Sequence, residues 1–223
     1  LNPKEESVLK LLTESKEYEN YFFKKVKNIK WFIPLNEKGY FAACNAPDLQ
    51  KSSKEGYFTV PVWNVLDYLE RISEQMHLPE NMQYISSLLD IIVDVSKNGP
   101  KENFRTWWYF VKIISNIPRQ YITERIIELV PNWLGSKYES SLNGKEILDR
   151  LIPNFLGSDC EQDILKAEIL IKFITEIRLI PGEYKKSRGL VGENYEPIVD
   201  GYWLTESFNM LYEPIAQKCS NVV

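Results

Sequence analysis

The octapeptide Leu-Val-Pro-Asn-Trp-Leu-Gly-Ser at 129–136 returns twenty-two positions later, at 151–158, as Leu-Ile-Pro-Asn-Phe-Leu-Gly-Ser. Only Val for Ile and Trp for Phe separate the two copies. A fixed-period echo is the mark of a helical repeat. Proline inside a helix removes one hydrogen bond and clashes with the carbonyl four residues back. Pro131 and Pro153 are therefore expected to kink their helices, after Val130 and Ile152, or to start a short last turn. Gly135 and Gly157 are expected to end that turn in the left-handed conformation. Trp133 and Phe155 then become anchors packed against a neighbouring helix.

Helical periodicity dominates from residue 62 onward. Val62, Val65, Leu66, Leu69 and Ile72 follow the stripe of an amphipathic helix. Further helices are expected over 80–96, closed by Asn98-Gly99-Pro100, and over 103–116, 119–134, 143–156, 159–180 and 202–219. In the 103–116 helix the apolar arc of Phe104, Trp107, Trp108, Phe110, Val111, Ile113 and Ile114 is too wide for one buried side, so neighbours are expected on both. Asn143 with Glu146, and Asp159 with Gln162, have capping-box spacing. Starts near 62, 102 and 143, and near 80, 119 and 160, lie about forty residues apart, the size class of two-helix HEAT or armadillo units.

The fold expected is all-α, a HEAT- or armadillo-like α-solenoid of roughly three two-helix units with an irregular amino-terminal cap. Residues 1–61 form that cap, with short helices over 4–15 and 17–27, a compact stretch at 30–41 ended by Gly39, a loop over 42–56, and an extended piece over 56–61. Residues 62–180 form the repeat core. Residues 181–223 hold a long loop and a last helix, all within one continuous domain.

Composition narrows the function classes. With 27 basic and 31 acidic residues the net charge is −4, which argues against general binding of nucleic acid or anionic membranes. Cys44, Cys160 and Cys219 are odd in number and far apart, the pattern of reduced thiols rather than of disulfides or a zinc site. No signal peptide is visible, and the most apolar run, 164–180, is broken by five charges, too many for a membrane span. A cytoplasmic protein is expected. The start at Leu1 rather than Met suggests an excised piece of a longer chain.

Lys-Trp-Phe-Ile-Pro-Leu-Asn-Glu-Lys-Gly-Tyr-Phe at 30–41, Gly-Tyr-Phe-Thr-Val-Pro-Val-Trp at 56–63, Leu-Asp-Tyr-Leu-Glu at 66–70, Phe-Arg-Thr-Trp-Trp-Tyr-Phe at 104–110 and Pro-Asn-Trp-Leu at 131–134 carry a resemblance. Together they resemble the amino-terminal helical region of large, poorly characterised bacterial proteins, some associated with genome-defence neighbourhoods. The resemblance covers about residues 15–180. It implies a bacterial cytosolic protein whose active part, if any, lies elsewhere, and it carries over no catalytic residue.

Candidate chemistry is sparse. His77 is the single histidine, so any catalytic triad or multi-histidine metal site would have to use it. Next to Pro79, at an expected helix end, it is read instead as a macrodipole partner. Asp90 and Asp94, followed by Asn98, share a helix face as a divalent-cation site would need. They are more simply the solvated stripe of an apolar helix. The glycines over 182–201 match neither dinucleotide nor phosphate-loop spacing. Lys24, Lys25, Lys27 and Lys30 precede Trp31 and Phe32 but spread around their helix. Lys185, Lys186 and Arg188, on the long loop, make the better basic patch. Trp107-Trp108 is read as core rather than as a stacking platform.

The chain is therefore read as a non-catalytic scaffold or protein-interaction region, with no catalytic, cofactor or metal site. A protein is the expected partner, held along the concave face and the 181–201 loop. One alternative is a nucleic-acid-sensing module using Lys185, Lys186 and Arg188. Another is a fragment of an enzyme whose site lies elsewhere.

Overall fold

The computed structural model describes residues 2–53, 58–134, 140–178 and 198–219. It is all-α, with helices forming most of the described chain and one antiparallel pairing of two-residue strands, β1 (Gln50–Lys51) with β2 (Phe58–Thr59). No described helix is long and apolar enough to cross a membrane.

The first helix, α1 (Pro3–Glu14), begins at a capping box. The Asn2 side chain accepts from the Glu5 amide, and the Glu5 carboxylate accepts from the Asn2 amide. Ser15 ends α1 and caps α2 (Lys16–Lys25), whose inner face buries Phe23. A 3-10 turn over Ile29–Trp31 leads into α3 (Phe32–Glu37). There the chain reverses at Gly39, the positive-φ residue of the described chain (φ 75°). The Tyr40 amide donates to the Leu35 carbonyl and the Gly39 amide to that of Asn36, which is a Schellman ending.

Next come α4 (Val65–Ser73), α5 (Ile85–Asn98) after a 3-10 stretch over Pro79–Tyr84, and α6 (Phe104–Asn116). The stripe expected from Val62 starts at Val65, and Val62 itself is exposed. Five residues of the wide α6 arc are buried as expected, Trp107, Phe110, Val111, Ile113 and Ile114 all at 0% exposure, whereas Phe104 and Trp108, the latter expected in the core, are half-buried. Its N-cap residue, Asn103, donates to the carbonyls of Pro47 and Pro61 and so holds the irregular segments against the helix start.

The single helix expected over 119–134 is three pieces: a 3-10 turn over Arg119–Tyr121, α7 (Glu124–Ile127) and α8 (Val130–Leu134). The break therefore precedes Val130. Pro131 sits near the start of α8, where its missing amide costs nothing. The second copy behaves differently. A helical run extends from α9 (Ser140–Glu146) through a wider π turn (Ile147–Leu151) into α10 (Ile152–Leu156). The Ile152 amide donates to the Ile147 carbonyl, five residues back. The helix widens just before Pro153, where the kink was expected. The closing Gly157 is right-handed (φ −68°), so no left-handed turn ends this copy. Gly135 lies outside the described residues.

Neither capping box expected downstream is present. Asn143 lies inside α9, fully buried, and donates to the Trp133 carbonyl at 3.0 Å. At the start of α11 (Glu161–Arg178) the Cys160 carbonyl takes the first helical bonds, and Asp159 turns to Lys218 of α12 (Ile198–Lys218).

Packing runs in sequence order. α1 lies on α2, α2 on α4, α4 on α6, α6 on α9, and α9 on α12. The intervening helices meet one another: the Trp133 indole of α8 donates to Ser96 of α5 at 3.0 Å, and α7 and α8 pack on α11. One hydrophobic core runs from Leu9 to Cys219.

Candidate functional surfaces

Lys185, Lys186 and Arg188, with most of the 181–201 loop, lie outside the described residues. His77 is exposed and follows the end of α4 by four residues. It is thus beyond the last helical turn, where the macrodipole acts. Among the described residues no three histidine, cysteine or carboxylate side chains converge as metal ligands would.

Asp90 and Asp94 are both exposed on α5, as the solvated-stripe reading has it, yet they serve opposite neighbours. Asp94 accepts from the Ala43 amide (3.3 Å) and from Asn98 (2.7 Å), tying the segment after α3 to α5. Asp90 faces Arg125 of α7 at 3.5 Å. Beside that pair lies a shallow groove of about 340 Å³, floored by Met82, Leu89, Val93 and Ile126 and closed by Tyr121.

Of the amino-terminal lysines, Lys30 is engaged with Glu5 (2.6 Å) and lies over the Trp31 ring, whereas Lys24, Lys25 and Lys27 point to solvent. The Lys30 ammonium holds the Glu5 carboxyl below the usual range. Trp107 is core, with its indole donating to the Lys101 carbonyl at 3.0 Å. Trp108 is half-buried under the Lys112 ammonium, 4.4 Å from its ring.

Two features escaped the sequence reading. The first is a polar ladder between α4 and α6. The Tyr109 hydroxyl donates to Asp67, Lys112 pairs with Glu70, and Asn116 donates to the Ser73 hydroxyl at 3.0 Å. Asp67, Glu70 and Ser73 follow one helix face, and Tyr109, Lys112 and Asn116 follow another. That spacing was visible; which helix faces which was not. Burial, then the Asp67 hydrogen bond, pushes the Tyr109 hydroxyl well above its ordinary pKa, so it stays a donor. The ladder clamps two helices and leaves no free nucleophile or base within it.

The second is an open apolar groove of about 520 Å³ on the outer side of α1 and α2, lined by Leu11, Leu12, Tyr18, Tyr21, Phe22 and Lys25 among others. Tyr21 is 68% exposed and Tyr18 56%, unusual for rings grouped on one helix face. The three cysteines are free, with Cys44 and Cys160 exposed and Cys219 buried, where desolvation raises its thiol pKa.

No protein-family model, curated protein or solved structure matches this chain.

Proposed function

We propose that this chain is a helical-repeat scaffold, an α-solenoid that presents its helix faces to a partner protein and has no catalytic role of its own. The observation that carries the reading is the order of packing. The helices α4, α6 and α9 begin 39 and 36 residues apart and contact one another in sequence order, while α5, α7–α8 and α11 do the same behind them. Such stacking makes each unit depend only on its neighbours and leaves extended faces for binding.

The working face we assign is the α5/α7 groove, where apolar side chains lie beside an exposed Asp90–Arg125 pair. An apolar floor with a charged rim is the composition of a protein-binding patch. The test is affinity capture with the wild type, a Leu89→Glu, Tyr121→Glu variant, and a charge reversal of Lys185, Lys186 and Arg188. A recovered protein lost from the groove variant, with helical circular dichroism retained, supports the groove. Recovery unchanged in both variants rejects it. Nucleic acid retained at low salt and released steeply by added salt, and lost on charge reversal, would replace the protein-scaffold reading with a nucleic-acid-binding one.

A further inference from the structure

The outer face of α2 carries Glu17, Tyr18, Tyr21, Lys24 and Lys25, all exposed. At a hundred degrees per residue these five share one stripe about a third of the helix wide. The stripe has a symmetry of its own. The two-fold axis of an antiparallel pair lies across the helix at Tyr21; it keeps each residue on its own side of the stripe and reverses its height. It sets Glu17 against Lys24, Tyr18 against Lys25, and Tyr21 against itself. The carboxylate of Glu17 and the ammonium groups of Lys24 and Lys25 make no ion pair within the described chain. Lys16 and Glu19, which lie off the stripe, pair with each other.

We propose that this face binds a second copy of the chain, with two α2 helices crossing antiparallel at Tyr21 on a two-fold axis. An isologous interface requires that each residue i meet j while j meets i. The stripe meets that requirement with opposite charges along one side and a lysine facing a ring along the other. Two Glu17–Lys24 pairs and two Lys25–Tyr18 cation–π contacts form per dimer. Antiparallel helices also set each helix's positive end against the other's negative end. Leu11, Leu12 and Phe22 supply an apolar floor beside the two tyrosines. An acidic partner would satisfy the lysines but would leave Glu17 facing like charge.

A ten-residue helix is about 15 Å long. The face is therefore smaller than the roughly 800 Å² per partner of a standard interface, and the dimer dissociates on dilution. Sedimentation equilibrium of the full 223-residue chain over a wide concentration range tests this. The wild type is expected to shift from dimer to monomer, more readily at high salt. Lys24→Glu or Glu17→Lys alone turns two attractive pairs into two repulsive ones and is expected to weaken the dimer by about tenfold or more. The double variant Glu17→Lys, Lys24→Glu is expected to recover the wild-type affinity to within about threefold, because the pairing is reciprocal. All four positions of substitution and pairing are exposed, so folding is checked simply by helical circular dichroism. A chain that stays monomeric at every concentration, a dimer indifferent to the single reversals, or a double variant that does not recover overturns the proposal. None of those outcomes touches the α5/α7 groove, so the scaffold reading stands or falls separately.

Discussion

Residues 129–134 and 151–156 are nearly the same hexapeptide in two settings, and their fates differ. In the first copy the chain has already left the helix. The Glu128 amide closes α7 on the Glu124 carbonyl, a turn follows, and α8 starts afresh around Pro131. In the second copy the helix arrives intact from Ser140 and passes Pro153 by opening into a π turn. The rings nevertheless end alike, Trp133 and Phe155 both at 0% exposure. Proline forbids one amide bond and one carbonyl position. Whether the chain responds by breaking or by widening depends on what the preceding turn is anchored to. Before Pro153, the π turn directs Asp149 to Ser207 of α12 at 2.6 Å and to Lys145, holds that keep the helix going.

The largest expected effect probes what the copies share. Trp133→Ala and Phe155→Ala each empty a fully buried ring site and are expected to cost about 3–5 kcal/mol in urea unfolding. Trp133→Phe is expected to cost about 1–3 kcal/mol beyond a mere change of ring, because the buried Ser96 hydroxyl loses its donor. Equal tolerance of Trp and Phe at both sites would break the distinction.

Helix endings come next. A Cβ at Gly99 would lie 2.6 Å from the Val95 carbonyl oxygen, whereas one at Gly157 would lie 3.3 Å from that of Pro153. Gly99→Ala is therefore expected to cost roughly 1–3 kcal/mol, and Gly157→Ala to stay within about 0.5 kcal/mol of neutral. A large loss at Gly157 would restore a special role for that glycine.

The prolines themselves give smaller, divergent effects. Pro131→Ala loosens the unfolded chain at a site where proline fits, and about 0.4–1 kcal/mol should be lost. Pro153→Ala loosens it equally but regains an amide donor inside a helix, so the urea midpoint should barely move. Identical losses would mean that the π turn is unrelated to the proline.

Smallest is a pH effect confined to the second copy. Lys218 donates to the Ser158 carbonyl and to Asp159, and its hydrogen bond holds the Asp159 carboxyl below the ordinary range. With the folded pKa depressed, this contribution is present above the unfolded value of about 3.9 and fades as pH falls through the folded value. Asp159→Asn should therefore flatten the acid limb of a thermal-stability profile slightly. An unchanged limb would remove the clamp from the account.

Several parts of this organisation were legible in the residues themselves. The α6 arc from Phe104 to Ile114 announced burial on more than one side, and the two anchoring rings followed from their place beside proline. The Gly39 reversal was marked by its own Lys-Gly-Tyr turn. Long-range pairing was not legible. Asp67 and Tyr109 stand 42 residues apart, and nothing local tells an acid on a half-buried face which helix it will meet. Asn143 read as a cap because Asn and Glu three apart have the spacing of a capping box. Burial against α8 converted it into an interior donor for the Trp133 carbonyl. Of the surfaces, the α2 stripe was in plain view as five letters of known spacing. It was read only for its lysines, because without the fold there was no telling that Tyr18 and Tyr21 stay uncovered.

The sequence by itself determined an all-α chain and roughly where most of its helices lie, because apolar spacing, proline and glycine act within a few residues of where they stand. The tertiary structure alone decided which proline breaks a helix and which widens one, and whether an asparagine caps or crosses. It also decided which aromatic rings remain outside. Each of those outcomes depends on carbonyls, hydroxyls and apolar faces brought near by other helices, and their positions exist only once the chain has packed.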